Sequence, residues 1–101
     1  MGQIYADFRK QAHDLEYHTH DLIDDHDHPQ ARTLREEFRR LTEDFEQRKE
    51  PRTIERRIDS IQQRLKQVQN AKDRYMSIND AVSLHEHMKR MRENIRRFPN
   101  Y

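Results

Sequence analysis

Residues 53–98 read TIERRIDSIQQRLKQVQNAKDRYMSINDAVSLHEHMKRMRENIRRF, with neither Gly nor Pro in the stretch. Ile54, Ile58, Ile61, Leu65, Val68, Lys72 and Tyr75 follow one another in steps of four and three, the spacing that gathers side chains on one stripe of a helix. A second series, Ala81, Leu84, Met88, Met91, Ile95 and Phe98, keeps that spacing in a different register and stops before Pro99. Between the two lies Ser77-Ile78-Asn79-Asp80. Its short polar side chains compete with the helical backbone and favour caps. The pattern predicts two helices, at about 53–75 and 79–98, with a turn near 77–80. The alternative is one fused helix with a stutter in its repeat, which would belong to a coiled-coil-like assembly.

The first half of the chain follows the same rule. Ile4, Phe8, Leu15 and Leu22 share a heptad stripe in which Gln11 and His18 fill two positions and Ala12 lies beside it, predicting a helix over about 3–27. Pro29 suits the first turn of the next helix, because its missing N–H has no partner there anyway, and Asp27 or His28 stands in front as a cap. Ala31, Leu34, Phe38, Leu41 and Phe45 give that helix, about 30–49, its apolar stripe, and Pro51 with Thr53 marks the start of the third. Four helices joined by very short loops make an all-α, antiparallel up-down-up-down four-helix bundle, one domain spanning residues 1–101.

Composition narrows the function classes. Of 101 residues, 39% are charged and 32% hydrophobic, and 20 basic against 19 acidic residues leave a net charge of +1, which suits solvent-laced helices better than a self-repelling coil. A single Gly argues against β-sandwiches, barrels and phosphate-cradling loops, which need turn glycines. The absence of Cys removes disulfides, thiolate zinc sites and cysteine nucleophiles and is compatible with a cytoplasmic setting. The N-terminal MGQIYADFRK lacks the apolar core of a signal peptide, and no stretch has the length and apolarity of a membrane span. Leu, Ile, Val and Phe number only 19, so the core is thin and a homodimer that buries more surface is expected.

Residues 13–28, HDLEYHTHDLIDDHDH, hold five of the seven histidines and six carboxylates. Glu16, His20 and Asp24 succeed one another at four-residue steps, and Asp14 and His18 form a parallel pair. Imidazole nitrogen and carboxylate oxygen are both zinc donors, so a divalent-metal site from His18, His20, Asp24, His85 and His87, with Glu37 at a similar depth in the bundle, is one expectation. A solvated face or a pH-responsive patch are the others. With neutral histidines the segment carries −6, and with all five protonated near pH 5 about −1.

A basic pole is expected at the opposite end, where Arg52, Arg56, Arg57, Arg96 and Arg97 gather. It is the footprint a nucleic acid would use, although Glu46, Glu50, Glu55, Asp59 and Glu93 dilute it and no nucleic-acid-binding signature is present. No residues stand at a catalytic spacing: His85-Glu86-His87 lacks the i, i+4 histidine pair of a zinc-hydrolase helix. The reading that remains is a non-enzymatic, regulatory or adaptor module that binds another protein through a helix face. Its candidate anchors are the apolar and aromatic residues off the main stripes, Tyr17, Ile23, Met76, Ile78 and Val82. All but Tyr17 are expected to cluster in a charge-rimmed patch at the acidic end.

Overall fold

Three of the four helix starts follow from local chemistry. His28 is extended (φ −62°, ψ 129°) and its Nδ1 accepts the Gln30 N–H at 3.1 Å, with Pro29 following in the first turn, so α2 runs Pro29–Glu46. Pro51 opens α3, Pro51–Asn70. Ser77 accepts the Asp80 N–H at 3.1 Å and starts α4, Ile78–Ile95. The first helix, α1, is Gly2–Leu22. This computed structural model describes residues 2–99 and 101.

The helix ends also have identifiable causes. After α2, Arg48 takes a left-handed conformation (φ 52°); its N–H bonds to the Phe45 carbonyl at 3.2 Å and the Lys49 N–H to the Asp44 carbonyl at 3.0 Å. That is a Schellman motif with Arg where Gly is usual. α3 stops at Asn70, because Ala71 turns extended (φ −82°, ψ 147°) and feeds Tyr75 and Met76 into the interior. The expected turn at 77–80 is therefore displaced: residues 71–77 form the connection, while 78–80 are already helical. The fused long helix is excluded by the same segment. α1 ends at Leu22 rather than near 27, because Ile23 leaves the helix to form an antiparallel bridge with Met76.

α1 packs on α2, α2 on α3 and α3 on α4, and contacts at the two ends set the directions. At one end the α1–α2 and α3–α4 connections meet: Ile23 pairs with Met76, and the Asp24 N–H donates to the Tyr75 carbonyl at 2.7 Å. At the other, Tyr5 and Phe8 of α1 meet Phe98 beyond α4, with ring centroids 5.2 Å apart in both pairs, and the Tyr5 hydroxyl lies 3.4 Å from the Lys49 carbonyl in the α2–α3 connection. Successive helices thus run up and down along a body of 42 × 20 × 17 Å. The four-helix bundle expected from the stripes is the fold.

The core stripes of α2, α3 and α4 are those read from the sequence: Leu34, Phe38, Leu41 and Phe45 face Ile54, Ile58, Ile61 and Leu65, with Leu84, Met88 and Ile95 closing the other side. α1 differs. Its buried residues are Phe8, Ala12 and Thr19, while Leu15 and Leu22 are half-buried and Ile4 is exposed. The helix is rotated so that small side chains face the core, and the buried Thr19 hydroxyl is satisfied by the Leu15 carbonyl at 2.6 Å.

Candidate functional site

α1's two flanks have different neighbours. The α2 flank is marked by Glu16, which lies 3.4 Å from the Thr42 hydroxyl, and by Arg9, 3.8 Å from Glu46. The α4 flank opens on a groove of about 290 Å³ lined by Gln11, Asp14 and Leu15 of α1 and His87 and Met91 of α4. The Ile23–Met76 bridge clasps this seam at one end and the Tyr5–Phe8–Phe98 rings at the other, so the groove lies between two closed ends. Gln11, a polar member of α1's heptad stripe, lines the groove where an apolar side chain would pack against α4.

Charge is arranged around this groove in a distinctive way. On α2, Glu36 pairs with Arg39 at 2.5 Å and Arg40 at 3.2 Å, which hold its carboxyl down to about 2, and Arg39 also pairs with Glu43. Between α2 and α3, buried Asp44 takes Arg57 at 2.6 Å and Lys49 at 3.0 Å, with Glu37 3.8 Å from Arg57. Between α3 and α4, Arg92 bonds to Asp59 at 2.9 Å and Arg96 to Glu55 at 2.8 Å. Along α1, by contrast, Asp7, Asp14 and Asp21 recur every seven residues, all exposed and in no ion pair among the described residues. Arg90 and Arg97 on the α4 side are exposed and unpaired in the same sense.

The candidate protein-binding residues divide. Ile23 and Met76 are 3% and 1% exposed, because their backbones form the bridge that carries both side chains into the core. The expected four-residue patch is corrected on that point. Ile78 and Val82 are 40% and 41% exposed, and they repeat at heptad spacing with Arg92 and Arg96, which places them on the α3-facing flank of α4, away from the groove. Tyr17 is 73% exposed on the outer surface of α1.

The candidate metal ligands are not brought together. Asp24 lies beyond the end of α1, so the Glu16–His20–Asp24 line is broken, and Glu16 is turned to α2 and His13. His87 lines the groove, and His18, one heptad beyond Gln11, falls on the same side of α1 without lining it, whereas His85, one heptad before Arg92, falls on the α3-facing flank and Glu37 is drawn into the Arg57 cluster between α2 and α3. His20 stacks at 6.5 Å on His26. Among the described residues no group of three or more His, Asp or Glu is placed to hold one ion.

At the opposite end, Arg57 and Arg96 of the basic pole are taken up by Asp44 and Glu55, and Arg52 lies 5.4 Å over the Tyr101 ring. Arg56 and Arg97 remain exposed without an ion pair among the described residues. Burial pushes the Glu55 carboxyl up, but the Tyr101 hydroxyl and Arg96 outweigh it and leave the group below its ordinary value, while the Tyr101 phenol is raised by the same carboxylate.

No known protein family, curated protein or solved structure matches the chain. None of the helices, among the described residues, is long and apolar enough to cross a membrane.

Proposed function

We propose that the protein is a non-enzymatic helical interaction module, working in the cytoplasm, whose docking face is the α1–α4 seam. The observation that carries this reading is the groove lined by Gln11, Asp14, Leu15, His87 and Met91. Leu15 and Met91 give it an apolar part flanked by the polar Gln11, Asp14 and His87, a lining against which the apolar face of an apposed helix can pack. The unpaired Asp7, Asp14 and Asp21 on one wall and Arg90 and Arg97 on the other give a partner charged groups to meet, whereas the acids of α2 and most of those facing α3 already have internal partners. Charge pairs at a rim set register and discriminate between partners more than they add affinity, so this face is suited to choosing a partner.

Photo-crosslinking in cells tests the proposal. A chain carrying His18→p-benzoylphenylalanine, on the groove side of α1, is expected to form a discrete polypeptide adduct, identified by mass spectrometry. A chain with Gln63→p-benzoylphenylalanine, on the exposed outer face of α3, is expected to form none. Leu15→Glu in the groove should abolish the adduct at position 18. Equal adducts from both positions, or none from position 18, would contradict the docking face.

A further inference from the structure

On the two walls of the α1–α4 seam Asp7 and Asp14 stand level with Arg97 and Arg90, with Lys10 beside the acids and Glu86 and Glu93 beside Arg90. Phe98 touches Phe8 at one end of the seam and Met91 shares the groove with Leu15, so α1 and α4 run antiparallel with Asp7 level with Arg97 and Asp14 level with Arg90. Seven residues, about 10.5 Å of helix rise, separate the two acids, and seven residues separate the two bases, the second of which lies just past the end of α4. Within one chain the groove holds the walls apart and none of the four forms an ion pair among the described residues. Arg97 lies in the turn just after α4, where its N–H bonds to the Asn94 carbonyl at 3.1 Å.

We infer that the α1–α4 seam is self-complementary and that its occupant is a second copy of this chain, related by a two-fold axis parallel to the helices. This rests on the seam being the docking face proposed above. A rotation about such an axis lays α1 of one protomer over α4 of its partner without shifting either along the bundle. Asp7 then meets the partner's Arg97 and Asp14 meets the partner's Arg90, and the symmetry repeats both pairs. Half-buried Leu15 and the 37% exposed Ile4 lie along the same face, with Met91 buried at the bottom of the groove, so the interface has a small apolar part beside its charged residues. A different basic helix would find only Asp7 and Asp14 complementary. A second copy also satisfies Arg90 and Arg97.

Sedimentation equilibrium over a concentration series gives the test. The unaltered chain should approach twice its 12.6 kDa mass as concentration rises. Asp14→Arg and Arg90→Asp should each weaken association about tenfold or more, with circular dichroism confirming unchanged helicity. The double variant, Asp14→Arg with Arg90→Asp, restores opposite charges at both crossings and should recover the dimer, as should an equimolar mixture of the two single variants. A chain that stays monomeric to millimolar concentration overturns the inference, and so does a dimer indifferent to both reversals or a double variant that fails to recover. If the chain is monomeric yet position 18 still crosslinks to another protein, self-association falls and the docking face stands. If position 18 captures nothing either, both fall.

Discussion

His28 shows how much a single side chain can fix. Its Nδ1 accepts from Gln30 N–H, so the proton of the neutral ring resides on Nε2, which points to Asp73 at 3.3 Å, while the ring rests 5.3 Å from Tyr75. One residue thus caps α2 and ties it to the α3–α4 connection. His28→Ala should destabilise the bundle by about 1 kcal/mol in urea unfolding, and His28→Asn, which keeps an acceptor at the cap, should recover most of that. Tyr75, buried beside it, has its phenol pushed up to about 12 by burial. A raised folded value means that the neutral phenol stabilises the fold fully below its ordinary value of about 10, and that this contribution is lost as pH climbs through about 12. Alkaline unfolding followed by circular dichroism should therefore weaken the wild type over that window and leave Tyr75→Phe less affected. His28 was legible as a cap because Pro29 follows it. The bridge that buries Tyr75 was not, since it depends on two connections far apart in sequence coming together.

At the scale of the helices, legibility tracked how completely an apolar stripe is buried. The stripes of α2, α3 and α4 were readable residue by residue because large side chains occupy nearly every inward position. α1 misled because its inward positions include Ala12 and Thr19, which a search for large apolar residues passes over, while Ile4 was assigned inward and is exposed. The same rotation leaves Gln11 and His18 toward α4 and creates the groove, so the candidate site escaped the sequence reading for the reason that α1's register did. Helix charge needs tertiary placement too. Asp44 is indistinguishable from its neighbours in sequence, yet it is buried at 1% exposure against Arg57 and Lys49. Asp44→Ala removes the nearer carboxylate from Arg57, leaving Glu37 at 3.8 Å, and should cost about 2–3 kcal/mol, reduced from the fully buried case because Arg57 also keeps some contact with water. Arg39→Ala on the solvated face of α2, which breaks as many ion pairs, should cost far less in the same urea titration.

For the whole molecule, the α1–α4 seam is where exposed aspartates and arginines without an ion pair among the described residues stand level on adjoining walls. Sequence places acids and histidines near one end and arginines near the other, which suggests a dipole along the bundle. Folding consumes much of the basic pole in the Asp44–Arg57 and Glu55–Arg96 pairs and leaves Asp7 and Asp14 level with Arg97 and Arg90 across the α1–α4 seam. A lengthwise dipole invites a polyanion at one end; opposed charges along a groove suit a helical surface laid lengthwise. A dilution series of amide chemical shifts tests this assignment most directly. On raising the concentration of the unaltered chain, the shifting amides should cluster at residues 4–22 and 83–97, with those on the outer face of α2 unmoved. Shifts that stay constant over the whole series, or that gather on α2 or around Arg52 and Arg56, would contradict it.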